Sequence, residues 1–236
     1  MHLNFSPVRA DHGLALTRDG DAVIVNGQRF DFANLPEGDE LPAEAIVSDF
    51  IAGPVRREDG ELHLSLILPH GKNAPKATKF PEPITVKNDG PIALPPFDVV
   101  TDDEGNQQEV HGEALSVTSG GAIDWSHMVT AEDKAAAALK EWREGASINR
   151  ATFAILAATY GYITEDEAEK WASGTALPQF VADIIAASVP PEMRLTRRIM
   201  ALTQPTIGRH SELIPAIAEA KGLTEEQVDE MFGWQG

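Results

Sequence analysis

The residues in this chain that could do acid–base or metal chemistry are its seven histidines and 37 carboxylates. Two imidazoles bind one metal ion most readily when they sit three or four positions apart on a helix or two apart on a strand. No histidine pair here has either spacing. His63 falls on the non-leucine side of an alternating run, and His70 falls in the loop that follows. Asp102-Asp103-Glu104-Gly105-Asn106 with Glu109 brings acids together, but lacks the alternate acids, central glycine and distal bidentate glutamate of a calcium loop. It reads as a solvated turn. Ser119-Gly120-Gly121 is a flexible turn by itself. The nucleophile elbow, the phosphate loop and the dinucleotide fingerprint are all missing from the sequence. The chain therefore reads as a protein without enzyme activity, cofactor or metal.

The basic residues are few and grouped. Lys72, Lys76 and Lys79 lie in LPHGKNAPKATKFPEP, with Lys87 just beyond and Arg56 and Arg57 upstream. A nucleic-acid surface would interleave several aromatic residues with such charges, and only Phe80 is near. Pro69, Pro75, Pro81 and Pro83 favour an extended path instead. The loop is expected to be a stiff crossover along a sheet edge. The alternative is contact with an acidic neighbour, another copy of the chain included. Arg194, Arg197 and Arg198 share one helical segment, either as a solvated or salt-bridged face or as a docking face for an acidic partner. Trp234 must be tucked back or meet a partner. Lys72, Lys76, Lys79, Arg194, Arg197, Arg198 and Trp234 are the candidate partner contacts.

The net charge of −18 arises in both parts of the chain: 21 acidic against 9 basic residues up to 130, and 16 against 10 after it. This balance argues against a nucleic-acid partner, which needs clustered positive charge, and against an anionic membrane surface. No apolar run reaches the roughly 18 residues that insertion into a membrane requires. The N-terminal residues lack the basic and apolar regions of a signal peptide. The chain has no cysteine, so disulfides and thiolate zinc sites are excluded.

Two periods divide the sequence. Residues 1–96 alternate with period two, most clearly at Leu62, Leu64, Leu66 and Leu68. Pairs such as Asp19-Gly20, Asn26-Gly27, Asp59-Gly60 and Asp89-Gly90 signal tight turns. This predicts a small antiparallel β domain of six or seven strands, sandwich or barrel-like, with a short helical turn at 43–48. Residues 97–129 lose both periods and read as a linker, with one candidate hairpin of Val99-Val100 against 115–117. Residues 130–236 read as a domain of short helices. Thr130 with Asp133 starts the first helix, whose stripe is Ala135, Ala138, Leu139 and Trp142. Ser147 is expected to cap the next, whose Phe153, Leu156, Ala157 and Tyr160 share one face and which stops at Gly161. Later segments carry Phe180, Ile184 and Ile185, then Leu195, Ile199 and Leu202. The fold class is thus α+β. GYITEDEAEKW and GLTEEQVDEMF echo one another: a helix-ending glycine, an apolar residue, then a capping box. The echo fits either a duplicated helix–turn–helix or the ordinary needs of two short helices.

The segment DGELHLSLILPHGKNAPKATKFPEPITVKNDGPIALP resembles uncharacterised proteins encoded beside tail genes in tailed phages and prophages of alphaproteobacteria. INRATFAILAATYGYITEDEAEKW and LTQPTIGRHSELIPAIAEAKGLTEEQVDEMF are similar to the same group. The resemblance implies a structural or accessory phage tail protein at the distal tip or fibre. Its partners would be other tail proteins or copies of itself, and its location the virion, assembled in the host cytoplasm. A tail assembly chaperone absent from the finished virion and a small glycan hydrolase are the alternatives. The group carries no assigned catalytic residues, so none is transferred.

Overall fold

The computed structural model describes residues 1–115 and 121–235. It is an α+β chain that separates into two compact units, Met1–Ala135 and Ala136–Gly236.

The first unit contains β1 (His2–Arg9), β2 (Leu16–Asp19), β3 (Ala22–Val25), β4 (Gln28–Asp31), β5 (Glu40–Leu41), β6 (Ile46–Val47), β7 (Val55–Glu58) and β8 (Glu61–His70). A helical turn, α1 (Lys76–Lys79), precedes β9 (Ile84–Thr85), β10 (Gly90–Pro91), β11 (Asp98–Thr101), β12 (Gln107–Val110) and β13 (Ala122–Ile123). Five strands form one sheet in the order β5-β7-β8-β1-β9, and four form a second in the order β10-β2-β3-β4. The sheets are antiparallel except for the longest pairing, where β1 runs parallel to β8 from His2 opposite His63 to Arg9 opposite His70. Among the described residues no closed barrel forms.

Alternation places Leu62, Leu64, Leu66 and Leu68 of β8 inside, where the first three join Leu3, Val23, Val25, Phe30, Leu41 and Val55 in one core. Two predicted turns sit where their residue types require. Asn26 and Gly27 join β3 to β4, and Asp59 and Gly60 join β7 to β8, all four with positive φ. Asp89-Gly90 is different. Gly90 lies in β10 opposite Arg18, and the Asp89 carboxylate accepts the Gly20 N–H at 2.9 Å, so this pair closes no hairpin. The expected helical turn is a single 3-10 turn at Ala43–Ala45.

The segment expected as a linker contributes to the first unit. β13 pairs with β6, and Ile123, Trp125 and Met128 pack against the core. The hairpin of Val99 and Val100 exists, but its second arm is β12, with Val99 opposite Glu109 and Val100 opposite Gln108. Leu115 lies outside any strand, and residues 116, 117, 119 and 120 of the expected arm and glycine turn lie outside the described residues.

The helix α2 (Ala131–Gly145) crosses the unit boundary. After it come β14 (Ser147–Asn149), α3 (Arg150–Thr159), α4 (Glu165–Ala172), α5 (Gln179–Ser188), α6 (Pro191–Thr203), β15 (Thr206–Gly208), α7 (Leu213–Lys221) and α8 (Glu225–Met231). Their core gathers Phe153, Ala157, Ile163, Trp171, Val181, Ile185, Ile214, Ile217, Val228 and Phe232.

The sequence echo extends further than its quoted strings. β14 and β15 pair antiparallel with Ile148 opposite Ile207. Each strand is preceded by a long helix, α2 or α6, and followed by a helix pair, α3–α4 or α7–α8. Both helix pairs turn at a left-handed glycine, Gly161 or Gly222, and restart at a complete capping box, Thr164 with Glu167 or Thr224 with Gln227. The second unit is therefore two helix–strand–helix–helix copies sharing one ribbon, with α5 between them.

Three helical details differ from expectation. Asn149, not Ser147, caps α3, its side chain accepting the Ala151 N–H at 2.8 Å, because Ser147 is engaged in β14. Tyr160 is exposed and stacks on Tyr162 rather than entering the core. Neither α2 nor α6 buries a residue fully: Ala135 and Ala138 are exposed, and so are Leu195 and Ile199.

Candidate functional site

Lys72, Lys76 and Lys79 lie on the loop that carries the chain from β8 past β1 to β9, which is the expected crossover. The path is tighter than an extended proline-rich one. Lys76 and Lys79 stand on α1, and the buried Thr78 between them donates its hydroxyl to the Pro96 carbonyl at 2.7 Å. The Gly71 N–H donates to the Phe97 carbonyl at 2.8 Å, and Ala74 is buried. These anchors turn Phe80 outward, 73% exposed, beside a shallow hollow of about 530 Å³ lined by Lys76, Ala77, Glu82, Pro83, Ile84 and Pro95. None of the three lysines forms an ion pair among the described residues.

Arg57 does not join that patch. Its guanidinium donates to the carbonyls of Leu35 and Phe32 and to the Asp21 carboxylate, at 2.7, 3.1 and 2.9 Å. It ties the segment after β4 to β7. Arg56 pairs with Glu58.

The structure separates the three arginines of α6. Arg194 donates to the Val189 carbonyl at 2.9 Å, and Arg197 pairs with Glu212 at 2.6 Å. Only Arg198 keeps an exposed side chain with no ion pair among the described residues. The triad is thus mostly spent on its own unit. Trp234 folds back onto Trp142, with ring centroids 4.9 Å apart, and its backbone N–H donates to the Asp229 carbonyl. It is an internal anchor rather than a free ring.

The titratable groups likewise serve local structure. His70 closes β8 opposite Arg9, whereas His63 stacks on His2 across β1 and β8 with centroids 4.6 Å apart. The Asp102 carboxylate accepts the side-chain and backbone N–H groups of Asn106 and the Glu104 N–H, which holds it below the usual aspartate range. Among the described residues, no three histidine or carboxylate side chains come together as a metal site. No described helix is long and apolar enough to cross a membrane.

A buried ionic hub was not evident in the sequence. Asp229 of α8 is 1% exposed. It accepts two bonds from Arg143 Nε, at 3.0 and 3.1 Å, a third from Arg143 Nη2, and one from Arg209 Nε at 2.8 Å. Glu225 accepts from Arg209 and lies 3.6 Å from Arg143. Burial pushes the Asp229 carboxyl up, but the bonds from Arg143 and Arg209 outweigh it and hold it below its ordinary value. The sequence offered only one hint, a charged residue at the Asp229 position of an otherwise amphipathic turn. Both Asp229 oxygens are engaged by arginine N–H groups, so the chemistry of the hub is structural.

Surface hydrophobic side chains are the other feature. Besides Phe80, the helix α6 exposes Met193, Leu195, Ile199 and Met200. Beside α6 lies a groove of about 460 Å³ whose walls include Ile184, Val189, Met193, Met200 and Leu213.

No protein-family description, no curated protein and no solved structure matches the chain.

Proposed function

We propose that this protein is a structural or accessory component of a phage tail, at the distal tip or fibre, acting through protein–protein contacts. Its partners are other tail proteins and copies of itself, and its place is the virion, assembled in the host cytoplasm. It acts without nucleic acid, membrane insertion, metal or cofactor, and is not an enzyme.

The tail assignment rests on the resemblance of residues 59–95 and of the two C-terminal strings to tail-gene-associated proteins. The mode of action rests on one structural observation. Apolar side chains stand at the surface of both units, Phe80 beside unpaired lysines and Leu195 with Ile199 on α6, while the charged groups with most hydrogen bonds are consumed in local structure. Exposed apolar groups with polar surroundings are what protein contacts use.

Mass spectrometry of purified particles tests the reading. The chain should be present in stoichiometric amount with other tail proteins. Its presence only in the lysate would favour an assembly chaperone. Release of sugar from host envelope material, lost when one carboxylate is replaced, would favour a hydrolase.

A further inference from the structure

The two copies within the second unit differ in a way that points to a contact surface. The ribbon relates residue 148 to residue 207 and residue 150 to residue 209, an offset of 59. Continued backwards, that offset lays α2 onto α6 almost end to end. At matched exposed positions, α2 carries Ala136, Lys140 and Glu141, whereas α6 carries Leu195, Ile199 and Met200. The fold therefore asks for no apolar side chain there, since the matched helix does without one. Leu195 is 70% and Ile199 51% exposed, a cost that burial in a contact would remove.

The charge on this face selects the occupant. At 100° per residue, Glu192 lies on the same side of α6 as Leu195 and Ile199, and Arg198 lies beside Leu195. The face thus holds one acid and one base, on a unit with 14 acidic and 9 basic residues. With Arg194 and Arg197 already engaged, it is not a basic platform for an acidic ligand. Such a neutral face is one over which two acidic copies can approach. Antiparallel pairing would set Leu195 beside Ile199 of the second copy and bring Glu192 within a turn of the Arg198 in that copy. A two-fold contact needs this kind of self-complementarity.

We propose that α6 is a self-association surface, through which two copies of this chain pair antiparallel about Leu195 and Ile199. The proposal is independent of the tail assignment, because the purified chain would dimerise whether or not it enters a particle.

Sedimentation equilibrium of the full chain tests it. The mass should rise from one copy to two with concentration. Leu195→Glu should weaken the dimer by about tenfold or more, with an unchanged circular dichroism spectrum because the side chain is exposed. Glu192→Arg and Arg198→Glu should each weaken it, and the two together should restore it. A folded chain that stays monomeric, a Leu195→Glu variant that dimerises as before, or a double charge swap that restores nothing would overturn the proposal.

Discussion

Arg150 and Arg209 occupy equivalent ends of one antiparallel ribbon. The backbone N–H of Arg150 donates to the Pro205 carbonyl, and that of Arg209 to the Ala146 carbonyl, each at 2.8 Å. Their backbones are related by a local two-fold, but their side chains are not. The Arg150 guanidinium donates to the carbonyls of Leu202, Gln204 and Ala172. That of Arg209 donates to Asp229 and Glu225. Two copies that share a backbone plan have diverged in what holds the third helix of each, neutral carbonyls in one and carboxylates in the other.

Asp229→Ala should therefore destabilise the second unit by about 3–5 kcal/mol, because it removes the buried carboxylate shared by Arg143 and Arg209 and leaves them only the exposed Glu225. Urea unfolding followed by tryptophan fluorescence measures this, since Trp142 and Trp171 report on that core. The effect should depend on pH. The folded carboxyl lies below its unfolded value, so its contribution is complete above about pH 4 and fades as pH falls through the lowered folded value. The gap between wild type and Asp229→Asn should narrow on acidification. A gap that is constant down to strong acid would show that the hub contributes nothing through charge.

The two capping boxes offer a paired comparison. Thr164→Ala and Thr224→Ala should each cost about 1 kcal/mol, since each hydroxyl accepts an N–H from the third residue of its helix. The return arm is Glu167 in one box and Gln227 in the other. Hydrogen bonds from the N–H groups of Thr164 and Gln179 hold Glu167 below the usual glutamate range. Its contribution is present above the unfolded value and lost as pH falls through the folded one. Glu167→Gln should flatten the acid dependence of the melting temperature, while Gln227→Glu should introduce one. Identical acid limbs in all three proteins would contradict this account.

Much of this architecture was legible because it is local. Asn26-Gly27, Asp59-Gly60 and the threonine boxes act through neighbours in sequence, and they are found where their residue types put them. The leucine alternation of β8 marked its buried face but not its partner. Which strand lies alongside depends on contacts some sixty residues away, and β1 proved to run parallel to it. β14 and β15 are three residues each, too short for any period to show. The apolar stripe on α6 is legible as a period, but periodicity reports an apolar face without saying what covers it, and Leu195 and Ile199 are exposed. The lysines and arginines were visible as types, but only geometry shows that Arg194 and Arg197 are already engaged and Arg198 is not.

Gly13 and Gly112 meet at a close approach that neither could keep with a side chain. A Cβ on Gly13 would lie 2.2 Å from the Gly112 carbonyl oxygen, and one on Gly112 would lie 2.7 Å from the Phe97 ring. The Gly13 N–H donates to Glu113 at 2.8 Å, which holds the segment after β12 against the first unit. Gly13→Ala should cost about 1–3 kcal/mol through backbone displacement. Hydrogen exchange should show loss of protection at Gly13 and residues 112–114, with α3 and α7 unchanged. Full protection in the variant would mean that the contact is dispensable.

Limited proteolysis should cut first between 101 and 121. The turn between β11 and β12 is exposed and held chiefly by the bonds of Asp102 to Glu104 and Asn106, with no core residue in either strand. Exposed loop tips of this kind are preferred cleavage sites. Beyond 121 the chain is packed again, with β13 on β6, Trp125 against the core and the Glu40 and Val129 backbones bonded to each other at 2.9 Å. The two products should consequently separate on a denaturing gel and still elute together on a native column. Products that elute apart would show that residues 121–135 are not held by the first unit. First cuts within α2 would place the weakest point at the unit boundary instead. Only products that elute apart would restore the segment before α2 to the role of a simple linker, which the pairing of β13 with β6 argues against.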